Sequence, residues 1–166
     1  MIVEFLGQGL HLEEDETCGN HVCSAIKDES FTQITIFVAF LRKPGLDYLK
    51  PFIKKAREEN RNVTFYVGID EQITSKEALE LLLELDTETY IYYSDSYIYH
   101  PKIYLFEGER NRIITGSSNL TKSGLFYNVE SSMLLDFTNN DKSGLKVLNQ
   151  LKEFYSSFFD FSEPNL

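Results

Sequence analysis

A continuous run of mostly β-branched and aromatic residues at residues 33–41, in the first third of the chain, limits the possible folds more than any other feature. The run is rich in β-branched and aromatic residues without polar alternation, which is typical of a strand buried on both faces. A Pro-Gly pair follows at residues 44–45. Apolar residues then recur at helical spacing over residues 46–56, with basic residues on the opposite face. Residues 62–68 have the pattern of another strand. This order of strand, helix and strand predicts an α/β fold.

The later apolar segments continue the alternation of strands and helices. The sequence Thr74-Ser75-Lys76-Glu77 has the form of a capping box and predicts the start of a leucine-rich helix that ends at residue 85. An amphipathic helix is predicted at residues 145–159. The further predicted strands lie at residues 89–93, 102–106, 112–115 and 129–136. Because the first strands are joined in β-α-β units, we expect an α/β sandwich with a mixed, largely parallel sheet flanked by helices.

The length and composition are those of one folded domain. The chain has 166 residues, of which 42% are hydrophobic and 14% aromatic, and this composition excludes a disordered chain. We therefore expect a single domain over residues 1–166. The last apolar helix is followed by Pro164, which is compatible with this domain being the N-terminal part of a longer protein.

The sequence also predicts the compartment. The longest apolar runs, such as residues 34–41, are far shorter than the ~20 residues that span a bilayer. The first residues lack the basic start and long apolar region of a signal peptide. Two cysteines, Cys18 and Cys23, are too few for a disulfide framework. We expect a cytoplasmic protein with no membrane partner.

The formal charge of −10 argues at first against a nucleic-acid ligand, because nucleic-acid binders usually present a basic patch. The charge is unevenly distributed, however. Residues 1–30 carry −6 and residues 64–99 carry −7, whereas residues 31–63 carry +4 and residues 100–124 carry +2. The overall acidity therefore does not exclude DNA, although it predicts that the domain alone binds DNA weakly.

One segment, residues 100–130, contains the groups that can carry chemistry. His100 and Lys102 are two residues apart in a predicted strand, so their side chains point to the same face. The next strand ends in Gly116-Ser117-Ser118-Asn119, a turn that presents hydroxyls, an amide and backbone N–H groups. Another strand begins near Glu130. Neighbouring strands would bring an imidazole, an ammonium, an amide and a carboxylate together at one edge of the sheet.

These four groups meet the needs of phosphoryl transfer. A histidine can attack phosphorus and form a phosphohistidine, which divides one difficult displacement into two. Lysine and asparagine can hold the non-bridging oxygens and stabilise the charge that develops on them. A carboxylate on the far ring nitrogen of the histidine would fix its tautomer and support its charged form.

The residues resemble the phospholipase D-like superfamily, whose motif is His-x-Lys, four residues, Asp, and a later Gly-Ser-x-Asn element. His100-x-Lys102 and Gly116-Ser117-x-Asn119 match this motif, and Glu107 stands at the Asp position. The run from Ser117 to Glu130 resembles the nuclease branch more than the lipases. Metal-independent restriction endonucleases and helicase-associated nuclease domains carry such runs.

The resemblance implies a homodimer with a composite site on a two-fold axis. The family uses two copies of the motif, whereas this chain has one, because neither His11 nor His21 is followed by a Lys two residues later. A two-fold axis places the same surface opposite itself, so two copies of His100 can face one phosphate.

The resemblance also implies the roles of the site residues. His100 of one subunit would attack the scissile phosphodiester of DNA, and the second His100 would protonate the leaving hydroxyl and then activate water. Lys102 and Asn119 would clamp the phosphoryl oxygens, Ser117 would assist them or orient a neighbour, and Glu130 would orient His100. No metal or other cofactor is implied, because the lysines supply the positive charge.

Other residues near the motif are candidates for substrate binding. Tyr97 and Tyr99 could stack on bases, although the alternation of tyrosines with isoleucines in this stretch is also typical of strand packing. Ser118, in the turn, is a further candidate. The basic helix face at residues 50–61 is compatible both with contact to a DNA backbone and with an ordinary solvated surface.

Two clusters have metal-binding residue types without the matching spacing. Cys18, His21 and Cys23, with His11 upstream, fit no common zinc pattern, and a helical core or surface is the better interpretation. The acidic run at residues 13–16 lacks the Gly and the alternation of an EF-hand loop, and we expect a solvated loop. The sequence therefore predicts no metal site.

Together these patterns predict a metal-independent phosphodiesterase, a DNA endonuclease of restriction or defence type. Two alternatives stay open. One is a phospholipase D-type lipid phosphodiesterase, and the other is a catalytically weak nucleic-acid-binding or dimerisation module of a larger DNA-processing protein. No base-reading motif is present, so target specificity would come from a further domain or subunit.

Overall fold

The computed structural model describes residues 1–11 and 16–166, and over these residues it contains a seven-stranded sheet with helices on both faces. The elements are, in chain order, β1 (Ile2–Gln8), α1 (Cys18–Lys27), β2 (Phe31–Val38), α2 (Lys43–Glu58), β3 (Asn62–Gly68), a 3₁₀ turn (Asp70–Gln72), α3 (Lys76–Glu84), β4 (Glu88–Tyr92), β5 (Lys102–Gly108), β6 (Arg110–Gly116), α4 (Lys122–Phe126), β7 (Glu130–Thr138), α5 (Lys142–Phe154) and α6 (Ser156–Phe159).

The sheet is mixed, as expected, but most of its strand pairs are antiparallel. The strand order is β1-β7-β6-β5-β2-β3-β4. Only β2 with β3 and β3 with β4 are parallel, whereas the other four pairs are antiparallel. The expectation of a largely parallel sheet was therefore wrong, because the β-α-β pattern ends at β4. From β5 onward, a tight connection at Glu109 folds β5 and β6 into a hairpin, and β7 returns beside β6.

Two layers of helices cover the sheet, which confirms the α/β sandwich. Helices α1 to α4 pack on one face around fully buried residues of the central strands, such as Ile36 and Phe106. On the opposite face, α5 covers Leu105, Ile113 and Phe137, and α6 packs its Phe158 against an aromatic cluster. The apolar run that suggested a doubly buried strand is β2, whose Ile36 and Phe37 face the two different cores.

Three local differences separate the structure from the sequence prediction. Strand β1 was not predicted, and the helix expected at residues 145–159 is divided into α5 and α6. The capping box does not form. Ser75 is the N-cap of α3 without a side-chain cap bond, and Thr74 instead donates its hydroxyl to the Gly68 carbonyl and accepts the Leu41 N–H.

Within the described residues, none of the helices combines the length and the apolar character that crossing a membrane requires. Cys18, His21 and Cys23 lie in α1, as the helical interpretation predicted, with Cys18 buried and Cys23 half-buried. Most of the acidic run at residues 13–16 falls outside the described residues.

The interior aromatic residues should dominate stability. We expect Phe106→Ala to lower the free energy of unfolding by about 3–5 kcal/mol, because the ring is fully buried and contacts Phe31. Phe154→Ala is the matched control: this ring is 79% exposed, and its loss should change the free energy by no more than about 0.5 kcal/mol. Urea denaturation followed by circular dichroism measures both values. Equal losses in the two variants would contradict this assignment of the core.

Candidate active site

The predicted motif residues meet at one edge of the sheet, where β2 and β6 end and β5 and β7 begin. The antiparallel register places Val38 of β2 opposite Lys102 of β5, and Gly116 of β6 opposite Ser132 of β7. The Ala39 N–H extends the first pair by donating to the Pro101 carbonyl at 2.9 Å. His100, Asn119 and Glu130 therefore lie on strand ends that share this edge.

His100 and Lys102 are in direct contact. The Lys102 ammonium nitrogen, Nζ, lies 2.8 Å from His100 Nδ1 and 2.9 Å from the His100 carbonyl oxygen. The ring of His100 is exposed, whereas Lys102 is only 6% exposed. Because an ammonium can only donate hydrogen bonds, Nδ1 is the acceptor, and a neutral imidazole then carries its proton on Nε2.

The surroundings shift the titration of both groups. Burial, and then the neighbouring Lys102 charge, lower the pKa of His100. Burial lowers the pKa of Lys102, and the nearby Glu130 carboxylate opposes this shift. The site therefore favours a neutral imidazole at neutral pH, which is the form a nucleophile needs.

Asn119 is anchored so that its amide nitrogen is left to act as a donor. Its Oδ1 accepts the Phe40 N–H at 3.1 Å, just beyond the end of β2. The Phe40 ring stands edge-on to the His100 ring at 5.7 Å, and Lys102 Nζ lies 5.8 Å from its centroid. Sequence reasoning missed Phe40 as a site residue. Its position at the end of the apolar run, next to the sheet edge, is the signal that could have found it.

Gly116 and Ser117 hold β6 and β7 together at the site. A Cβ on Gly116 would lie 2.2 Å from the Ser131 carbonyl oxygen, so only glycine permits this approach of the two strands. The Ser117 Oγ accepts the Ser131 N–H at 3.1 Å, and the Ser117 N–H donates to the Ser131 carbonyl. Ser117 thus lies at the site edge, bonded to the backbone of β7.

Glu130 begins β7, and its carboxylate is half-buried. Its Oε1 accepts from Asn128 Nδ2 at 3.1 Å. Among the hydrogen bonds of the described residues, none joins Glu130 to His100 of the same chain. The carboxylate nevertheless lies close enough to Lys102 to act on its pKa.

Two residues that the sequence suggested as substrate contacts, Ser118 and Tyr99, are buried in the structure. Ser118 is 1% exposed, and its carbonyl accepts the Tyr104 hydroxyl. Its side chain faces Cys18, whose thiol pKa is raised by burial to about 11. Tyr99 is 6% exposed, because its ring packs against those of Tyr92 and Phe158, which also contact each other. Neither side chain is open to a substrate, since each packs against elements that the local sequence does not reveal.

Tyr97 is placed differently, since it is 74% exposed. It lines a cleft of about 510 Å³ together with Tyr93 and Asp95, at the ends of β3 and β4. This cleft lies along the same edge of the sheet as His100. The stacking role predicted for Tyr97 stays a prediction.

Glu107, at the Asp position of the motif, is remote from His100. It lies near the opposite end of β5, where its carboxylate accepts a hydrogen bond from the Lys152 ammonium of α5. It follows Lys102 by five positions along the strand, a distance of about 17 Å. Glu107 therefore links the sheet to α5 and lies apart from the residues of the candidate active site.

The basic face of α2 is largely neutralised. Lys54, Lys55 and Arg57 form ion pairs with Glu58, with Glu29 and Glu59, and with Asp86, respectively. Arg61 is buried and pairs with Glu59. These pairs support the interpretation as a solvated helix face over contact with a DNA backbone.

Metal ligands do not gather at the site. Over residues 1–11 and 16–166, no three or more His, Cys, Asp or Glu side chains converge as a metal site would require. What the arrangement offers chemically is an exposed imidazole flanked by a buried ammonium and an amide donor. These groups can act on a phosphate that lies against the sheet edge.

Comparisons with known proteins agree with this fold. The family described as "Cardiolipin synthase, PLD-like domain" matches residues 32–153. The fold is thus that of a phospholipase D-like domain. The chain belongs to this family. No curated protein sequence matches it.

Solved structures share the fold at low sequence identity. Nuc from Salmonella typhimurium, a phospholipase D family member, has a TM-score of 0.68 and 16% identity, over 96% of this chain and 94% of that one. NucT from Helicobacter pylori has a TM-score of 0.66 and 14% identity, over 96% of both chains. Phosphatidylserine synthase from Haemophilus influenzae has a TM-score of 0.65 and 16% identity, over 92% of this chain and 38% of that one.

The contact between Lys102 and His100 predicts a shift in titration. Lys102→Met should raise the pKa of His100 toward the ordinary value of about 6.5, because the neighbouring positive charge is removed while burial stays. The imidazole would then become protonated at a higher pH than in the unchanged protein. NMR titration of the His100 ring measures the shift. Lys76→Met, on exposed α3, is the control that should leave the pKa in place. An unchanged pKa in Lys102→Met would refute the electrostatic coupling.

Proposed function

We propose that this protein is a metal-independent phosphodiesterase, a DNA endonuclease of restriction or defence type, that acts through a covalent phosphohistidine at a composite homodimer site. The observation that carries the proposal is the convergence of His100, Lys102 and Asn119 at one sheet edge. A neutral nucleophile beside two hydrogen-bond donors is what attack on a phosphodiester requires.

The donors lie where charge would develop during the reaction. The Lys102 ammonium is nearly buried, so its interaction with a phosphoryl oxygen would be weakened little by water. Asn119 has its oxygen occupied by the Phe40 N–H, and its Nδ2 is left for a second phosphoryl oxygen. The two Lys102 ammonium groups, one from each subunit, supply the positive charge that a metal ion provides in other nucleases.

The reaction proceeds in two displacements. In the first, Nε2 of a neutral His100 that carries its proton on Nδ1 bonds to phosphorus, the bond from phosphorus to the leaving oxygen breaks, and the protonated His100 of the partner subunit gives that oxygen its proton. In the second, the same partner histidine takes a proton from water, the water oxygen bonds to phosphorus, and the phosphorus–nitrogen bond breaks. The two products are a free hydroxyl and a phosphate monoester.

The protonation state of His100 in one chain favours a composite site. Because Nδ1 faces the Lys102 ammonium, a neutral ring holds its proton on Nε2, the atom that must attack. A carboxylate at Nδ1 would hold the proton there and free the Nε2 lone pair. Within one chain, the Glu130 carboxylate accepts a hydrogen bond from Asn128, and among the described residues it has no hydrogen bond to His100. We therefore assign this role to Glu130 of the partner subunit, which would replace Lys102 at Nδ1 and leave the Lys102 ammonium to bind a phosphoryl oxygen.

An uncovered apolar surface beside the site is suited to pack against the second copy. Val3 and Phe5 of β1 are 50% and 70% exposed, and Met133 of β7, directly opposite Phe5, is 38% exposed. They lie on the face of the sheet that α5 covers farther along the strands. Val129 extends the surface to Glu130 and is 65% exposed. Burial of this surface by a second copy would place the two catalytic edges next to each other.

DNA is the preferred substrate because the run from Ser117 to Glu130 resembles the nuclease branch of the superfamily. A phospholipid is the second candidate. The description of the matching family and the similarity to phosphatidylserine synthase favour it. Both substrates contain the phosphodiester on which His100 would act, so the same chemistry serves either one.

His100→Ala should lower the rate of DNA cleavage by at least about 10³-fold, since the nucleophile is lost. Cleavage by the unchanged protein should persist in excess EDTA. Rapid denaturation during turnover should trap DNA covalently attached to the unchanged protein and leave none attached to His100→Ala. His21→Gln, which changes a histidine of α1 away from the site, is the matched control and should remain active.

The outcomes separate the alternatives. Cleavage that needs Mg²⁺, or full activity in His100→Ala, would refute the mechanism. Hydrolysis of phosphatidylglycerol vesicles without DNA cleavage would establish the lipid substrate. Binding of DNA with no turnover of either substrate would identify a catalytically weak binding module.

Phe5→Asp should convert the dimer to a monomer and abolish cleavage, because a charge is placed on the apolar surface that the second copy covers. Leu83→Asp is the matched control: Leu83 is 75% exposed on α3, far from this surface, and its change should leave mass and activity in place. Light scattering after size exclusion gives the mass, and circular dichroism verifies folding. An active monomer, or a dimer that is unaffected by Phe5→Asp, would contradict the assigned interface.

A further inference from the structure

A cleft of about 350 Å³ opens beside the candidate active site, between the start of α2 and the start of α4. The residues that line it are Arg42, Lys43, Pro44, Ser75, Glu77, Thr121, Lys122 and Ser123. Three cations and three hydroxyl residues thus line the cleft, together with a single carboxylate, that of Glu77.

The cleft is joined to the site by short backbone connections. The Arg42 N–H donates to the Leu120 carbonyl at 3.0 Å, and Leu41 and Leu120 form a parallel bridge. Asn119 directly precedes Leu120, and Lys122 follows Asn119 by three residues, a separation of at most about 11 Å along the chain. A group in this cleft would therefore be a near neighbour of a phosphate held by Asn119.

The positive charge of the cleft is not neutralised by ion pairs. Within the described part of the chain, neither Arg42 nor Lys122 has a carboxylate partner, whereas Lys43 is bonded to Asp47 at 3.0 Å. This contrasts with the cations of the α2 surface, which are mostly paired. In a protein with a net charge of −10, two unpaired exposed cations beside the site are a local attraction for an anion.

Lys122 is also held in position. Its ammonium lies 5.7 Å from the Tyr48 ring centroid and 5.6 Å from that of Tyr127, which are cation–π contacts with both rings. The two rings restrict the long side chain, so it loses less freedom when it binds a ligand.

We infer that Arg42 and Lys122 form a second phosphate-binding subsite, which holds a phosphate of a nucleic-acid strand adjacent to the phosphate at His100. The inference rests on the proposed phosphodiesterase function and names its substrate class. A nucleic acid presents successive phosphates along one strand, whereas a single phosphodiester would occupy the His100 site alone. The subsite therefore selects a polymer of phosphodiesters.

Binding should be measured in the His100→Ala background, so that the DNA stays intact. Adding Arg42→Ala and Lys122→Ala should raise the Kd for a fluorescein-labelled oligonucleotide on the order of tenfold near physiological salt. The slope of log K against log salt should become shallower by about 1.4 for single-stranded DNA or about 1.8 for duplex DNA, because two phosphate contacts are lost. Fluorescence anisotropy gives both quantities.

Two further variants serve as controls for the loss of binding in the double variant. Lys50→Ala with Lys146→Ala removes two cations that are exposed elsewhere and have no ion pair in the described residues, and it should leave the Kd nearly unchanged. Glu77→Gln removes the one carboxylate of the cleft and should tighten binding. In the unchanged background, the Arg42 and Lys122 changes should reduce hydrolysis of the oligonucleotide but not of bis(p-nitrophenyl) phosphate, which has a single phosphodiester.

These measurements distinguish failure of the proposed subsite from failure of the proposed activity. Weaker DNA binding in the double variant, with no hydrolysis by any form of the protein, would support the subsite and refute the proposed activity. Equal DNA affinity in the double variant and in the Lys50 and Lys146 control would overturn the subsite. The subsite would also be overturned if the double variant lost equal activity on the oligonucleotide and on bis(p-nitrophenyl) phosphate. Preferred binding of phosphatidylglycerol vesicles to the cleft would overturn it as well.

Discussion

The pairing of β2 with β5 at the centre of the sheet is the constraint on which the site depends. β2 has a parallel neighbour, β3, on one side and an antiparallel neighbour, β5, on the other. The register that sets Val38 opposite Lys102 brings Phe40 beside His100 and within reach of Asn119. A slip of one residue would turn Lys102 to the opposite face of the sheet and separate it from Asn119.

The parts of this structure that are set by local sequence could be predicted. Strands β2 and β3 are doubly buried, so their apolar runs are continuous and easily found. The motif residues His100, Lys102 and Asn119 were found because their spacing is set by two adjacent strands, and the structure brings them together as expected.

The parts that depend on distant contacts could not be predicted. β1 is an edge strand with exposed apolar residues, so its sequence has little of the alternation that marks a half-buried strand. Thr74 bonds to Gly68 and Leu41 instead of capping α3, because the ends of β3 and β2 lie within its reach. Tyr99 is covered by Phe158 of α6, which arrives only at the end of the chain.

The position of β1 has a consequence for the order of folding. β1 pairs only with β7, and the pairing of Ile2 with Asp136 spans most of the chain. During synthesis, the first strand must therefore wait until nearly the whole domain has left the ribosome, with Ile2, Val3 and Phe5 unpaired in the meantime. Contacts this distant in sequence slow folding and expose apolar segments to aggregation. β1 is thus the last strand that can join the sheet, since its partner β7 is the last strand in the chain.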